Sequence, residues 1–357
     1  MRRSDRAAEN QEPKHEEDAN GHDVTLKMEV DFAAPDLRKR VEYMHCLNCL
    51  QAFAIVLGQS VRRGAPRGGE STLSAEWTVR EVLNWTRGYF EDAGIVQPRL
   101  EAEILLAHAL EVERLHLYLS PDKPLTVDER TKFRAFIQER RAGTPLQHLI
   151  GEVTFFGLRF KVRRDALIPR GETEELLDRT LRLVTRDQAA RCLDLGTGSG
   201  VIAVCLARYL PLASVTAADI SSDALALARE NALLNGVADR VAFLESNWFQ
   251  NVSGTFDLIV SNPPYVETET IESLAVEVRD HEPRVALDGG KDGIEQIRLL
   301  VAGAGEHLEA GGCILLEIGH GQGDRVRRLF VDASLEDVAI EADLSGRERF
   351  AVARKPQ

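Results

Sequence analysis

The sequence lacks a long apolar segment. Its longest uninterrupted apolar run, residues 201–207, is far shorter than the roughly 20 residues that span a bilayer, so no transmembrane helix is expected. The first twenty residues mix arginines with acidic side chains and hold no apolar core, which excludes a secretory signal and disfavours a transit peptide. These absences predict a cytoplasmic protein with no membrane partner.

Cysteine is scarce, with five residues in 357. Three of the five lie in predominantly apolar segments: Cys192, Cys205 and Cys313. We expect these three to be small core residues in a reducing compartment and not parts of a disulfide framework. Cys46 and Cys49 form a single Cys-x-x-Cys within a predicted helix at residues 36–57, and one such pair is weak support for zinc. The sequence therefore predicts no metal site.

Basic residues are fewer than acidic ones. The chain has 44 Lys and Arg against 57 Asp and Glu, which leaves a formal net charge of −13. A protein that binds a nucleic-acid backbone normally presents a basic field. Nucleic acid is therefore a disfavoured direct partner, although a local basic patch could override the total charge.

Four segments of the chain differ in composition and periodicity. Residues 1–75 open and close with polar, charged stretches, and we interpret them as a disordered N-terminal extension that is dispensable for activity. Residues 76–150 have helical periodicity, which predicts a small helical bundle whose first helix is capped by Thr78. Residues 151–170 contain an alternating β-hairpin that joins this bundle to residues 171–357.

Short apolar strands alternate with helical stretches beyond Arg191. Strands are predicted at residues 191–195, 214–218, 241–244, 258–260 and 312–318, with helices near 200–209, 222–235 and 291–310. This alternation predicts an α/β fold with a parallel sheet covered on both faces. Ligands of such sheets bind beyond the carboxyl ends of the strands, so the functional residues are expected just after each strand.

A glycine-rich turn follows the first predicted strand. Its residues are Gly196, Thr197, Gly198, Ser199 and Gly200. Glycines let the backbone turn sharply and approach a ligand closely, and the Gly-x-Gly-x-Gly spacing differs from the Gly-x-Gly-x-x-Gly of dinucleotide enzymes. Asp219 follows the second strand and can accept hydrogen bonds from two vicinal ribose hydroxyls. Together the turn and the acid predict an adenosine-containing ligand, the alternative being a tight turn with a purely structural role.

Two enzyme classes bind such a ligand: dehydrogenases that transfer a hydride and methyltransferases that use S-adenosylmethionine. Asp194 stands at the head of the glycine turn. A carboxylate there repels the pyrophosphate of a dinucleotide, whereas it attracts the cationic sulfonium and ammonium groups of S-adenosylmethionine. Asp194 therefore favours the methyl donor.

Asn262, Pro263, Pro264 and Tyr265 follow the fourth predicted strand. Two consecutive prolines fix the backbone and remove two N–H donors. The side-chain oxygen of Asn262 and the carbonyl of Pro263 can then accept the two N–H groups of a planar amine, while Tyr265 packs on its π face. This arrangement predicts methylation of an amide or exocyclic amine nitrogen through orientation of its lone pair; a rigid turn without chemistry is the alternative.

From about Thr78 to the C-terminus the sequence closely resembles the release factor glutamine methyltransferases. The segments that carry this resemblance are residues 99–106, 143–151, 155–157, 167–170, 172–174, 196–200 and 262–265. The resemblance implies a Rossmann-like class I S-adenosylmethionine-dependent methyltransferase sheet at residues 171–357. It also implies that the small N-terminal helical bundle, joined to this catalytic domain by the β-hairpin, recognises the substrate.

The resemblance also implies the reaction and the binding residues. The family methylates the side-chain amide nitrogen (N5) of the glutamine in the Gly-Gly-Gln motif of peptide chain release factors. The residues that match the family's donor site are Gly196, Thr197, Gly198, Ser199, Gly200, Asp219, Trp248 and Asn262, and those that match its acceptor site are Asn262, Pro263, Pro264 and Tyr265. We expect a monomeric enzyme that uses S-adenosylmethionine, no metal and no general base.

Two positions depart from the family pattern. Asn247 stands where the family usually has Asp, and Gly171 stands where it usually has Pro after Ile-Pro-Arg. Three alternative functions stay open at this point: methylation of a ribosomal protein glutamine, methylation of a nucleobase amine, and adenosine binding without catalysis. Glu172-Thr173-Glu174 fits the release factor group better than the enzymes that act on a ribosomal protein.

Overall fold

A computed structural model describes residues 77–357. The predicted N-terminal extension, its helix at residues 36–57 and the Cys46–Cys49 pair lie outside the described residues. Within residues 77–357, no helix combines the length and apolarity that a bilayer crossing requires.

The N-terminal part of the described chain is a bundle of helices around one apolar core. The helices are α1 (Val79–Asp92), α2 (Pro98–Leu110), α3 (Arg114–Leu119), α4 (Val127–Arg141) and α5 (Leu146–Ile150). Thr78 and Thr126 begin α1 and α4 with capping boxes in which Glu81 and Glu129 are the reciprocal partners. The short helices α3 and α5 are not predicted from the sequence because about one turn is too little to show a period.

The predicted hairpin is formed by β1 (Glu152–Phe155) and β2 (Leu158–Lys161), which pair antiparallel. Its central residues Phe156 and Gly157 both have positive φ, as a two-residue turn of type I′ requires. The buried side chain of Asn231 accepts from the backbone N–H of Lys161 at 2.7 Å and donates to the Ser199 carbonyl at 2.8 Å. One amide thus ties the hairpin to the glycine turn.

The remaining residues form one sheet with helices on both faces. The strands are β3 (Arg191–Leu195), β4 (Ser214–Asp219), β5 (Val241–Glu245), β6 (Phe256–Ser261), β7 (Leu308–Glu317), β8 (Glu336–Ala342) and β9 (Glu348–Arg354). The helices are α6 (Gly171–Leu183), α7 (Val201–Tyr209), α8 (Ser222–Leu234), α9 (Val276–Arg279), α10 (Glu295–His307) and α11 (Gly323–Asp332). The strand order is β5-β4-β3-β6-β7-β9-β8.

This sheet is mixed: the five predicted strands pair parallel, as expected, and two further strands that the sequence did not predict add antiparallel pairing. Strands β3 to β7 pair parallel, whereas β9 pairs antiparallel with both β7 and β8. Both β8 and β9 carry charged residues among their apolar ones, which is typical of antiparallel strands near a sheet edge. The α/β class and the Rossmann-like arrangement of the sheet are confirmed.

Alternate residues of the central strands enter two separate cores. Cys192 packs in the core on one face of the sheet and Leu193 in the core on the other, and Leu258 and Ile259 divide in the same way. This division follows from the period of two along a strand. Three cysteines are buried without disulfide partners, as predicted: Cys192, Cys205 and Cys313.

Candidate active site

A cavity of about 680 Å³ opens at the carboxyl ends of β3, β4 and β6, where the strand order reverses and ligands of such sheets bind. The predicted site residues that line it are Gly196, Thr197, Gly198, Ser199, Asp219, Trp248, Asn262 and Pro264. Gly200, Pro263 and Tyr265 do not line it. The structure therefore brings the predicted donor residues, except Gly200, together with Asn262 around one cavity.

The glycine turn has the backbone conformation for which glycine is needed. Gly196, Gly198 and Gly200 have φ values of +69°, +54° and +83°. At Gly200, which begins α7, a Cβ atom would lie 2.8 Å from the Cβ of Ala228 and 3.0 Å from its Cα. Positive φ and close packing of α7 against α8 thus require glycine at this position.

Gly200→Ala should lower the free energy of unfolding by about 2 to 3 kcal/mol, because positive φ strain and overlap with Ala228 add. Gly236→Ala is the matched control, since Gly236 has φ of +69° and no atom within 4 Å of the position that a Cβ would take. That control should lose only about 1 to 2 kcal/mol. Urea denaturation measures both variants, and equal losses would show that contact with Ala228 adds nothing.

The Asp219 carboxylate stands at the end of β4 beside the turn. Its Oδ2 accepts from the Gly198 N–H at 2.8 Å and its Oδ1 accepts from the Ser221 N–H at 2.9 Å. Burial raises the pKa of Asp219, while these backbone hydrogen bonds lower it. Since each carboxylate oxygen has a second lone pair, Asp219 retains acceptors for a diol in the cavity.

Asp194 lies beneath the glycine turn, fully buried, and does not line the cavity. Its Oδ2 accepts from the Thr197 hydroxyl at 2.6 Å and from the Ala203 N–H at 3.1 Å, while Oδ1 has no hydrogen-bond partner within residues 77–357. Burial raises the pKa of this carboxyl to about 7. An effect of Asp194 on a ligand in the cavity would therefore have to be electrostatic, because the side chain does not reach the lining.

The raised pKa of Asp194 has a defined effect on stability. The unfolded chain loses this proton near pH 4, whereas the folded protein keeps it to about pH 7, so this carboxyl makes unfolding easier as the pH rises between those values. The thermal stability of Asp194→Asn relative to the parent protein should therefore increase as the pH rises from about 4 to about 7. The control is Asp187→Asn at an exposed site, and a pH-independent difference for Asp194→Asn would contradict the expectation.

Trp248 forms one wall of the cavity. Its indole N–H donates to Oε1 of Gln296 at 3.0 Å, and its ring lies 3.4 Å from the place a Cβ would take on Gly196. The hydrogen bond fixes the ring plane, and the positive φ of Gly196, not the ring, is what favours glycine at this position. Trp248 thus offers a fixed aromatic surface to a ligand.

Asn262 is held by a chain of hydrogen bonds behind the cavity. Its Nδ2 donates to Oγ1 of Thr173 at 3.0 Å, and the Thr173 hydroxyl donates to Oε2 of Glu317 at 2.9 Å. The Tyr265 hydroxyl donates to Oε1 of the same carboxylate at 3.1 Å. Burial raises the pKa of Glu317 to about 7. This network uses one of the two N–H groups of Asn262 and leaves its Oδ1 without a hydrogen-bond partner among the described residues.

The Tyr265 end of the Asn-Pro-Pro-Tyr turn is also held by hydrogen bonds. Nε2 of Gln322 donates to the Tyr265 carbonyl at 2.9 Å and to the Gly293 carbonyl at 3.1 Å. Oε1 of Gln322 accepts from the Gly319 N–H at 2.8 Å. The Asn262 end of the turn is therefore held by Thr173 of α6, and the Tyr265 end is held by Gln322, which lies beyond the end of β7.

Acidic side chains dominate the charged lining of the cavity. The lining carboxylates are Asp165, Asp219, Asp288 and Glu295, and Lys291 is the single lysine or arginine among the described lining residues. Asp288 is partly neutralised by Arg284, 3.4 Å away. An excess of negative charge around a narrow space favours a cationic ligand.

Sequence reasoning missed several lining residues. Asp165 and Thr173 come from the segment between the hairpin and the first turn of α6, and Lys291, Glu295 and Gln296 come from the start of α10 and the loop before it. No strand of the seven-stranded sheet ends just before these positions, so the rule that predicted the glycine turn, Asp219 and Asn262 did not predict them. Only the resemblance drew attention to Thr173, through the Glu-Thr-Glu motif.

Two family models match separate parts of the chain. Residues 70–151 match the family described as PrmC N-terminal domain, and residues 174–290 match the family described as Methyltransferase small domain. The chain is 43% identical over 279 residues to a release factor glutamine methyltransferase from Geobacter sulfurreducens, covering 78% of this chain and 97% of that protein. It is 37% identical over 292 residues to one from Agrobacterium fabrum, covering 81% of this chain and 99% of that protein.

Among solved structures, the chain is similar to a methyltransferase from Pyrococcus furiosus with a TM-score of 0.44 and 20% identity, covering 57% of this chain and 91% of that chain. The two sequence relatives are matched over nearly their whole length at well above 30% identity. The glycine turn, Asp219 and Asn262 meet in one cavity of an α/β sheet in which β9 is inserted antiparallel. On these grounds the chain belongs to the release factor glutamine methyltransferase family.

Proposed function

We propose that this enzyme transfers a methyl group from S-adenosylmethionine to the side-chain amide nitrogen of the glutamine in the Gly-Gly-Gln motif of peptide chain release factors. The observation that carries the proposal is the position of Asn262. Its Nδ2 donates one hydrogen bond to Thr173, its Oδ1 has no partner among the described residues, and the residue lines a cavity whose other end is the glycine turn. The names of the sequence relatives support the same substrate.

The residues present fit the methyl donor. The glycine turn gives the close approach that a nucleoside needs, Asp219 keeps free acceptors for the ribose hydroxyls, and Trp248 offers a flat surface. The acidic lining and the buried Asp194 favour the positive charge that the sulfonium and amino groups bring. When bound, the donor supplies an electrophilic methyl carbon.

The acceptor side is built to orient an amide. Oδ1 of Asn262 and, on the chemistry of the turn, the carbonyl of Pro263 are the proposed acceptors for the two N–H groups of glutamine. An amide nitrogen is a poor nucleophile because its lone pair is delocalised, so alignment and polar stabilisation must supply most of the rate enhancement. After methylation the nitrogen is strongly acidic, so water suffices to remove its proton. Tyr265 holds the shape of the turn through Glu317.

The finer expectations follow from this substrate. We propose a cytoplasmic, monomeric enzyme whose partner is the release factor and which has no direct nucleic-acid partner. We also propose that residues 76–150 recognise the release factor, residues 151–170 link them to the site, and residues 171–357 carry catalysis. Arg140 of the bundle, almost fully buried, lies 2.7 Å from Glu277, which ties the two parts together.

Labelled S-adenosylmethionine tests the proposed function. The enzyme is incubated separately with release factor, with ribosomal proteins, and with DNA or tRNA. Label confined to the release factor glutamine is the expected result. Label in ribosomal protein or nucleic acid instead would replace the proposal with one of the alternative acceptors, and donor binding without label on any acceptor would indicate adenosine binding alone.

A further inference from the structure

Thr173 and Glu317 form a buried pair directly behind Asn262. Thr173 is 3% exposed and Glu317 is 1% exposed, and they come from α6 and the end of β7, which are remote in sequence from Asn262. Neither side chain forms part of the glycine turn or the Asn-Pro-Pro-Tyr turn. Burying a carboxylate away from water costs free energy. The burial of Glu317 beside the turn therefore indicates a role for this side chain.

The hydrogen bonds of this pair have one permitted direction. An ionised carboxylate only accepts, so the single hydroxyl proton of Thr173 is directed at Glu317. The Thr173 oxygen then has only lone pairs left for Asn262. The amide must therefore present Nδ2 to Thr173, since a flipped amide would set Oδ1 against those lone pairs.

We propose that Thr173 and Glu317 are positioning residues that select the amide orientation of Asn262, so that Oδ1 and not Nδ2 faces the acceptor amine. The proposal rests on the proposed function, because it assigns Oδ1 of Asn262 to the acceptor. Without the pair, the orientation that turns Nδ2 toward the acceptor is no longer excluded, and the amide is also free to rotate out of alignment. A flipped amide offers a donor to an N–H group, and a misaligned amide holds the acceptor away from the reactive geometry.

Thr173→Val removes the hydroxyl while keeping the shape of the side chain. Its kcat should fall about 10- to 100-fold, as expected for loss of alignment at the reacting group, with the affinity for S-adenosylmethionine unchanged. Thr173→Ser restores the hydroxyl and should recover most of the turnover. Thr180→Val is the matched control, because Thr180 is also buried on α6 but its hydroxyl donates to the Leu176 carbonyl; it should retain parental turnover.

A double-mutant cycle distinguishes an effect of Thr173 on the position of Asn262 from a general loss of structure. If Thr173 acts only through Asn262, Thr173→Val should cost nothing further in an Asn262→Ala background, measured by single-turnover labelling. Equal fold losses in both backgrounds would overturn the proposal, as would parental kcat in folded Thr173→Val. Circular dichroism and thermal unfolding establish that each variant is folded, and donor calorimetry shows that the cavity is intact.

The pH profile gives a second readout. The groups that face Glu317 are Tyr265, Arg349 and Glu172; burial and Glu172 raise its pKa and Arg349 lowers it. Protonation would turn the carboxyl into a donor, so kcat of the parent enzyme should fall as the pH drops through about 7. The Glu317→Gln variant should have a lower kcat than the parent enzyme at every pH. Its kcat should no longer fall as the pH drops through about 7. If kcat of Glu317→Gln still falls at low pH as it does in the parent enzyme, the charge of Glu317 is not what orients the Thr173 hydroxyl.

Failure of this proposal is distinguishable from failure of the proposed function. Labelling of the release factor by the parent enzyme shows whether the release factor is the acceptor. If label appears on another amine instead, the proposed function is wrong, and the ratio between Thr173→Val and the parent enzyme on that amine still decides whether the pair positions Asn262.

Discussion

Asn262→Ala should lower methyl transfer to the release factor by about 100-fold or more, as removal of one preorganised polar contact to a transition state does. Donor affinity should stay close to that of the parent protein, because Oδ1 of Asn262 serves the accepting amide and the nucleoside contacts lie on the glycine turn and Asp219. Turnover is measured with labelled donor and affinity by calorimetry. Turnover should fall while donor affinity stays unchanged.

Two controls sharpen this result. Asn235→Ala removes a similar side chain, which donates to the Arg159 carbonyl and does not line the cavity, and should leave turnover unchanged. Replacing the acceptor glutamine of the release factor by glutamate should block labelling, since a carboxylate has no N–H to offer Asn262. Near-parental turnover of Asn262→Ala would show that the assignment of this residue to the acceptor amide is wrong.

Asp219→Ala should weaken S-adenosylmethionine binding by about 1.5 to 3 kcal/mol, the range for hydrogen bonds to a charged group, which corresponds to roughly 10- to 150-fold in Kd. Removing this carboxylate takes acceptors from the ribose and also frees the Gly198 N–H. Calorimetry on the folded variant measures the loss. Asp223→Ala, exposed in the first turn of α8, is the control and should bind the donor normally.

A donor analogue separates the two roles of Asp219. A dideoxy form of S-adenosylhomocysteine lacks both ribose hydroxyls, so the parent protein should bind it weakly. If Asp219 holds the ribose, Asp219→Ala should bind this analogue about as well as the parent protein does. An equal loss for the analogue and the full nucleoside would assign Asp219 to support of the turn only.

The sequence predicts those parts of the site that are local. The glycine turn and the Asn-Pro-Pro-Tyr turn are short segments whose backbone is fixed by their own residue types, and each follows a strand whose apolar run is easily recognised. Asp219 follows from the same rule. The structure places the predicted donor residues, Gly200 excepted, around the cavity together with Asn262.

The parts that the sequence does not predict depend on tertiary contacts. Glu317 stands at the end of an apolar run that gives it no defined role, because its partners Thr173 and Tyr265 are brought to it only by the strand order. Strands β8 and β9 escape prediction because their charged residues weaken the apolar signal. Asp194 is predicted to attract the donor, but its complete burial and raised pKa cannot be inferred from position alone.

The position of β9 inside the sheet affects the order in which the protein folds. β9 follows β8 in the chain, yet it lies between β7 and β8, so β8 has no partner strand until β9 has been synthesised. A nascent chain that ends before Glu348 therefore leaves one edge of β7 open, including Glu317, which pairs with Phe350. Such open edges attract other chains. Ribosome-stalled chains that stop short of β9 should accordingly bind chaperones more than chains that extend through it.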